Sequence, residues 1–280
     1  RIERHRWRFA VQHAVVLLGI SQAPLPEPYV IPGYSGRCVS FTPLDGTAPQ
    51  TADAVTFEAS LNFEPESSKL PTAELSIAHE RFHGLFNGIN GKKLAADGTA
   101  QLQRVGDIEL TYGEVEFAPF WDALGRAAAP RAGETFVDLG SGTGRALIAA
   151  ALAFPDLQRC IGYEVVPTLL DASRCTARDL ATNRDAWSAA PIEIREADFC
   201  ECHWEADADI VWVSSLCMSK QTISKIKQRA LGLRHGARIL TMDEGFGEAP
   251  EFERILIDGA ASFRIEMSFG DAPIYAVRRV

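Results

Sequence analysis

The stretch that decides the fold is Asp138-Leu139-Gly140-Ser141-Gly142-Thr143-Gly144. It follows a short apolar run at 135–139 that predicts a strand, and a helical pattern at 144–154 follows it directly. Glycines let the backbone pass close to a ligand, and the start of a helix offers free N–H groups. The spacing is G-x-G-x-G and not the G-x-G-x-x-G that seats a dinucleotide pyrophosphate. With an acid, Asp138, leading the loop, it favours a ligand with a cationic amino-acid end, such as S-adenosylmethionine.

Around this loop, short β-rich runs alternate with helical stretches. Strands are predicted at 135–139, 159–164, 192–197, 209–214 and 237–242, and helices at 144–154, 167–187 and 220–233. Shorter runs at 253–257, 263–269 and 274–277 are further candidate strands. The alternation predicts an α/β fold, a parallel sheet with helices on both faces, whose ligand lies at the carboxyl ends of the strands. The alternative for the loop alone is a tight strand-to-helix turn with incidental glycines.

The part of the chain before Pro130 is less regular. Residues 21–50 are rich in proline and glycine, a helix is expected at 72–86, and a Gly/Asn-rich turn follows at 87–91. A basic stretch at 1–8 and the apolar residues after it are interpreted as a packed helix or strand. We therefore expect a smaller, irregular, mixed α/β domain at 1–128 and a cofactor-binding domain at 129–280.

Two further strand ends carry residues that suit the same ligand. Glu164 ends the second predicted strand, where a carboxylate can accept hydrogen bonds from both ribose hydroxyls. Asp198 closes the third strand and offers an acceptor to an adenine amino group, and the Phe199 ring could pack on the adenine face. The alternatives are a solvated acid for Glu164 and a core position for Phe199. All three strand ends meet at one edge of the sheet.

The composition excludes several classes of protein. The 280 residues include 37 acidic and 28 basic side chains, for a formal charge of −9, and 46% are hydrophobic. This is a globular composition, not that of a disordered tail, a collagen or a coiled coil. No apolar run reaches the roughly 18–20 residues of a bilayer span, so no membrane partner is expected. The net acidity argues against nucleic-acid binding by the overall field of the protein.

The cysteines indicate a reducing compartment rather than a disulfide framework, because the six of them are sparse and show no pairing pattern. Cys200, Cys202 and His203 lie close together, but no second Cys/His pair stands at zinc-finger spacing. We expect no metal site.

The positive charge is concentrated in two stretches, residues 1–20 with a charge of +3 and residues 214–242 with +6. The second contains no acid and six basic residues: Lys220, Lys225, Lys227, Arg229, Arg234 and Arg238. One interpretation is the solvated side of an amphipathic helix. The other is contact of Lys220, Lys225, Lys227 and Arg229 with DNA phosphate or with an acidic histone surface.

Several motifs together resemble one methyltransferase family. They are Thr111-Tyr112-Gly113-Glu114, the glycine loop at 137–144, Asp198-Phe199, Val211-Trp212-Val213-Ser214-Ser215 and the closing segment 268–275. Over about residues 110–280 the chain is similar to the non-SET histone lysine methyltransferases named for disruption of telomeric silencing. The resemblance implies a Rossmann-like, seven-stranded methyltransferase sheet with S-adenosyl-L-methionine as cofactor and S-adenosyl-L-homocysteine as product. It also implies methyl transfer to a lysine of histone H3 in the nucleosome, and a nuclear location.

The resemblance further implies roles for individual residues. Thr111, Tyr112 and Glu114 would fold over the methionine end of the cofactor. The other expected cofactor contacts are Asp138, Gly140, Ser141, Gly142, Gly144, Arg145, Glu164, Asp198, Phe199 and Ser214. The expected catalytic residues are Tyr112, Trp212, Ser214, Phe269 and Tyr275, with Met218 beside them around the lysine channel. Two positions depart from the family pattern: Ser214-Ser215 replaces paired asparagines, and Arg145 replaces a glutamine.

The expected chemistry asks for alignment more than for acid or base groups. A neutral amine attacks the sulfonium methyl in line, so the site must orient the reactants and exclude water. A free lysine side chain has a pKa of about 10.4, and an apolar channel and the sulfonium charge both favour loss of its proton. We therefore expect no general base, and Trp212 could equally be a core residue. Two other functions remain open: methyl transfer to a non-histone or small-molecule acceptor, and a cofactor-binding scaffold without catalysis.

Overall fold

The structure is a computed structural model that describes residues 39–43, 57–61, 72–183 and 188–280. Contacts between residues divide the chain into two units, 1–64 and 65–280. In the first unit, β1 (Val39–Pro43) and β2 (Phe57–Leu61) form an antiparallel ladder. The packed element expected near the beginning of the chain lies outside the described residues.

The second unit is built on an eight-stranded sheet. Its strands are β3 (Thr135–Leu139), β4 (Arg159–Glu164), β5 (Ile192–Glu196), β6 (Ile210–Val213), β7 (Arg238–Thr241), β8 (Phe252–Arg254), β9 (Phe263–Met267) and β10 (Gly270–Arg279). Seven of them follow the order β5-β4-β3-β6-β7-β10-β8, and β9 pairs with β10. Neighbours from β5 to β7 are parallel, whereas β10 is antiparallel to β7, β8 and β9. The predicted Rossmann-like α/β sheet is confirmed.

Six helices accompany the sheet within the described part of the chain. They are α1 (Thr72–Leu85), α2 (Gly91–Gln101), α3 (Phe117–Ala127), α4 (Arg145–Ala153), α5 (Pro167–Thr182) and α6 (Lys220–Ala230). Pro167 fits the first turn of α5 because the missing N–H would have no partner there. Short 3-10 helices occupy 108–110, 204–206 and 244–248. The elements predicted after residue 130 are thus found at their expected places, with ends that shift by a few residues.

The two faces of the sheet have separate cores because successive strand residues point in opposite directions. One face carries Phe136 and Trp212, packed with residues of α1, α3 and α4. The other carries Val137 and Val211, packed with α6 and Trp204. Every residue of β3 is buried, as expected for a central parallel strand.

The division of the chain differs from the boundary that composition suggested near residue 128. Phe82 of α1 and Phe120 of α3 are fully buried in the same core as Phe136 of the sheet. Helices α1 and α3 therefore share their hydrophobic core with the sheet. The sequence predicted α1 but not α3, and it could not show that either helix packs on the sheet, because their partners there lie far away in the chain.

Candidate functional site

The glycine loop follows β3, where the order of the strands changes direction between β4 and β6. Gly140 N and Ser141 N both donate to the carbonyl of Tyr163 on β4, at 3.0 and 2.9 Å, which fixes the loop to the sheet. Gly142 has a φ of 57°, in the left-handed region that favours glycine. A Cβ atom at Gly142 would lie 2.7 Å from Cε2 of Tyr112. Glycine is therefore needed for the Tyr112 ring to lie against the loop.

Two buried carboxylates lie beside the loop. Glu164 accepts three backbone hydrogen bonds, from Gly142 N at 2.7 Å and from Val165 N and Val166 N at 2.8 Å. Burial nevertheless raises the Glu164 pKa, because those hydrogen bonds only partly offset desolvation. Asp138 is 2% exposed. Burial, and then the Glu164 charge, raise its pKa well above the usual range, and no described residue donates a hydrogen bond to its carboxyl group.

These residues fit the cationic end of S-adenosylmethionine. A buried carboxylate without a partner is unfavourable, and a bound ammonium group would compensate it. The negative charges of Asp138 and Glu164 beside the loop would repel the negative charge of a pyrophosphate. The chemistry of the donor and acceptor set therefore supports the predicted class of ligand.

The segment 107–116, which we call the strap, crosses the glycine loop. The Tyr112 hydroxyl donates to Glu114 Oε1 at 2.7 Å and shares a hydrogen bond with Thr143 Oγ1 at 2.8 Å. Burial and the Glu114 charge raise the pKa of Tyr112, so its hydroxyl is protonated at neutral pH. Tyr112 and Glu114 thus lie over the loop, and their contact with the methionine end of the cofactor stays a prediction. Thr111 is exposed beside them.

The strap is also joined to the turn between β9 and β10. Glu114 N donates to Ser268 Oγ at 2.9 Å, and Ser268 N donates to the Glu114 carbonyl at 2.8 Å. The Phe269 ring packs on the backbone of Gly113, where a Cβ atom would lie 2.5 Å from Phe269 Cε1. Phe269 remains 46% exposed. It therefore stands at the border between the strap and solvent.

Arg145, the first residue of α4, faces the strap and α1. Its Nε donates to the Val115 carbonyl at 2.9 Å, and its Nη2 donates to Glu116 at 3.3 Å. The guanidinium carbon lies 4.7 and 4.9 Å from the ring centroids of Phe82 and Phe86. These contacts make Arg145 a support of the strap, and its direct contact with the cofactor stays a prediction.

Among the residues expected around the lysine channel, Trp212 lies in the hydrophobic core. Trp212 is buried, and its ring meets that of Phe120 edge-on, with centroids 5.2 Å apart. The geometry favours the core interpretation of Trp212 over a place in a lysine channel. Ser214 follows β6 at the carboxyl edge, with its Oγ 3.8 Å from Met242 Sδ. Tyr275 lies opposite Thr241, the last residue of β7, and 5.8 Å from the Arg254 guanidinium.

The residues expected near adenine lie on the other side of the loop. Phe199 approaches Gly140, where a Cβ atom would lie 3.8 Å from its ring. Asp198 is exposed and accepts a hydrogen bond from Cys200 N at 2.8 Å. Ser141 points away from this edge, because its Oγ is buried against Gly162 without a hydrogen-bond partner.

The cysteine cluster at 200–203 is engaged in internal contacts. Cys202 Sγ donates to the Asp198 carbonyl at 3.0 Å, and burial raises the Cys200 pKa to about 11. Across the described ranges, no group of three or more His, Cys, Asp or Glu side chains could hold a metal ion. None of the helices described there is long and apolar enough to cross a membrane.

Four of the six basic residues in 214–242 form ion pairs with acidic residues from distant parts of the chain. Lys225 pairs with Glu201 at 2.9 Å, and Arg229 lies 3.5 Å from Glu205. Arg234 pairs with Asp209, and Arg238 with Glu134. Lys227 lies 5.2 Å from the ring centroid of Phe246, and Lys220 is exposed. A stretch that is purely basic in sequence is therefore largely neutralised in the fold.

Sequence reasoning missed three residues that hold the strap: Glu109, Thr143 and Ser268. Thr143 stands between two glycines of the loop. That position could have indicated a contact with the strap once a segment covering the loop was expected. Ser268 is 154 positions from its partner Glu114, so no local pattern could connect them.

The segment formed by the strap, the glycine loop and the strands up to β7 is also what a family comparison detects. The model of the family described as "Histone methylation protein DOT1" matches residues 107–250. The chain belongs to the DOT1 family. The match begins at the first residue of the strap, so the strap lies inside the matched region. Membership supports methyltransferase activity with S-adenosylmethionine as the cofactor.

Several solved methyltransferase structures are similar to part of this DOT1-family chain. TrmN from Thermus thermophilus is 20% identical, with a TM-score of 0.43, over 57% of this chain and 48% of that one. The tRNA methyltransferase TrmK of B. subtilis is 13% identical, with a TM-score of 0.42, over 53% and 61%. TYW2 of M. jannaschii, solved with AdoMet, is 14% identical, with a TM-score of 0.36, over 55% and 73%.

The matched region spans about half the length of TrmN and less than two thirds of TrmK. A comparison with curated protein sequences gives no significant match.

Proposed function

We propose that this chain transfers methyl groups from S-adenosylmethionine to a lysine side chain of histone H3 in the nucleosome, and that it acts in the nucleus. The observation that carries the proposal is the strap of a histone-methylation family lying over a glycine loop beside an uncompensated, buried Asp138. Such an enclosure suits a reaction that must exclude water.

In this proposal, the residues of the loop and strap divide the work of binding. Asp138 and the loop backbone would hold the amino-acid end of the cofactor, Glu164 its ribose, and Asp198 with Phe199 its adenine. When bound, the cofactor supplies an electrophilic methyl group. Tyr112, hydrogen-bonded to Thr143, would close the site from above.

The proposed chemistry needs no general base from the chain. Tyr112 and Glu114 both cover the loop, and the raised pKa of Tyr112 keeps its hydroxyl protonated at neutral pH. That hydroxyl donates its one proton to Glu114 Oε1, and in this state Tyr112 cannot remove a proton from lysine. Phe269 and Tyr275 would supply the apolar surroundings that favour a neutral amine.

The proposal includes contact of Lys220, Lys225, Lys227 and Arg229 with DNA phosphate. The exposed Lys220 supports it best. Lys225 and Arg229 would have to exchange Glu201 and Glu205 for phosphate oxygens. The contribution of Lys225 would be small, because one exposed pair is exchanged for another. Arg229 would have to leave a partner, Glu205, whose side chain is only 13% exposed.

A second candidate function keeps the cofactor and changes the acceptor. Ser215, the second serine of the pair, is tied to Thr241 Oγ1 at 2.8 Å and to Met242 N at 3.1 Å. Ser214 has a weaker contact, with its Oγ 3.8 Å from Met242 Sδ, and it is smaller than the asparagine of the family pattern. This difference favours an acceptor other than a histone lysine, either another protein or a small molecule.

Mass spectrometry of nucleosomes incubated with the chain and S-adenosylmethionine tests the proposal. We expect methylated lysine on histone H3, and much less of it with Asp138→Asn when S-adenosylmethionine is limiting. Methylation of other proteins or of metabolites, without modification of H3, would support the second candidate. Cofactor binding without transfer to any acceptor would identify a catalytically silent scaffold.

A further inference from the structure

Glu109, in the 3-10 helix at 108–110, joins the first part of the strap to α6. Its Oε1 accepts hydrogen bonds from Ser219 N and Thr222 Oγ1, both at 2.8 Å. Ser219 is the N-cap of α6, and its own Oγ accepts a hydrogen bond from Thr222 N at 3.1 Å. The hydrogen bonds from Ser219 and Thr222 lower the Glu109 pKa, so the group is ionised at neutral pH. A carboxylate on this helix start also interacts favourably with the helix dipole.

The partner of Glu109 is the end of the loop 214–219, which connects β6 to α6 and carries Ser214. The beginning of that loop is fixed to β7, because Ser215 Oγ bonds to Thr241 Oγ1 and Met242 N. Met218, near its end, packs against the core of the second sheet face. Glu109 therefore connects the strap, which covers the glycine loop, to the loop 214–219, which follows β6.

The other part of the strap is fixed independently. Glu114 is bonded to Ser268, and Arg145 donates to the Val115 carbonyl. Loss of Glu109 would remove the hydrogen bonds between the strap and α6, and it would leave the bonds to Ser268 and Arg145 and the packing of Leu110 in place. The two anchors can thus be tested separately.

We propose that Glu109 is a positioning residue that couples closure of the strap over the cofactor to placement of the acceptor-side loop 214–219. The inference rests on the proposed function, since it concerns the same site. It has a kinetic consequence, because a covering segment that opens more easily lets the cofactor leave sooner. It also makes acceptor binding depend on the cofactor, because both bias the same segment.

Three variants separate this role from simple stabilisation of α6. Glu109→Ala removes the acceptor. Glu109→Gln keeps a carbonyl oxygen that can accept both hydrogen bonds. Asp97→Ala, which breaks an exposed pair with Lys93 on α2, is the matched control for loss of one surface carboxylate. The measurements are the dissociation rate of S-adenosylhomocysteine, the KM for nucleosomes and kcat.

For Glu109→Ala we expect dissociation to accelerate about tenfold and the nucleosome KM to rise by a similar factor, with a smaller change in kcat. Glu109→Gln should stay within about twofold of the wild-type rate, since it keeps both hydrogen bonds. Asp97→Ala should behave as the wild type. A role confined to the stability of α6 would lower the unfolding temperature of Glu109→Ala and leave the dissociation rate unchanged.

Thr222→Val keeps the test decisive if Glu109→Ala fails to fold, because it removes one of the two donors to Glu109. Its dissociation rate should rise by about twofold to threefold. Where Glu109→Ala does fold, the effects of the two substitutions should be less than additive when combined. Unchanged dissociation in either folded variant overturns the role of Glu109 while the proposed function stands. If the wild-type chain binds no S-adenosylhomocysteine, the proposed function itself fails, and this inference fails with it.

Discussion

The glycine loop and the strap meet at Tyr112, yet they are held in place in different ways. The loop is fixed by backbone groups, through Gly140 N and Ser141 N to the Tyr163 carbonyl and through Gly142 N to Glu164. The strap has one backbone bond of this kind, from Ser268 N to the Glu114 carbonyl, and otherwise depends on single side chains from distant parts of the chain, such as Ser268 Oγ and Arg145. The difference implies that the loop should be sensitive to backbone geometry and the strap to individual side chains.

Gly142→Ala should give the largest effect, since it affects both regions at once. The new Cβ would strain a residue at a φ of 57° and push against the Tyr112 ring. We expect a stability loss of about 1–3 kcal/mol and a fall in cofactor affinity of more than about tenfold. Calorimetric titration with S-adenosylhomocysteine and thermal unfolding measure both.

Gly88→Ala is the matched control, because Gly88 has a φ of 81° and nothing lies within 4 Å of its added Cβ. It should lower stability by about 1 kcal/mol without changing affinity. Equal affinities for Gly142→Ala and the wild type would show that the loop does not touch the ligand.

Asp138→Asn should separate stability from binding. The wild-type carboxylate is buried without a described hydrogen-bond partner, so a neutral amide of the same shape should raise the unfolding temperature at neutral pH. The same change should weaken S-adenosylhomocysteine binding by about tenfold or more, because the ligand's ammonium group loses its counter-charge. An unfolding temperature that falls, together with unchanged binding, would contradict this account of Asp138.

The pH dependence should follow the raised pKa of Asp138. A carboxyl group whose folded pKa exceeds its unfolded value of 3.8 holds more protons in the folded state, so stability falls as pH rises from 3.8 through the raised pKa. Glu164, also raised, acts in the same direction. Binding of an ammonium group favours ionised Asp138, so cofactor affinity should increase with pH across the same range. Titrations in buffers of different ionisation enthalpy should show proton release on binding, which Asp138→Asn should reduce.

Arg145→Lys should have a smaller effect than Gly142→Ala or Asp138→Asn, and it should act on the strap alone. Lysine cannot donate to Val115 and Glu116 with one planar group, and it cannot stack on Phe82 and Phe86. We expect a stability loss of about 1 kcal/mol and a rise of about threefold in the cofactor KM. Wild-type kinetics in Arg145→Lys, with lower stability, would limit Arg145 to packing.

What could be predicted from the sequence follows the same division between local and distant contacts. The strands, the sheet and the places of Asp138 and Glu164 were accessible, because strand periodicity and loop chemistry act over short stretches. The place of Tyr112 came only from resemblance to a family. No local pattern showed that Arg145 turns from the loop to Val115, or that Trp212 packs on Phe120.

The basic stretch illustrates the same limit. Its residues carry no acid nearby in sequence, but folding brings Glu201 to Lys225 and Glu134 to Arg238. Net charge in a sequence window therefore overstated the positive surface, because the neutralising residues come from other strands and loops.

Hydrogen–deuterium exchange of the wild-type chain, with and without S-adenosylhomocysteine, tests most directly whether the strap covers a bound cofactor. The account predicts slower exchange in residues 107–116 and 138–144 together when the ligand is present, and little change in β8 at 252–254. Unchanged exchange in the strap, with protection confined to other parts of the chain, would contradict it.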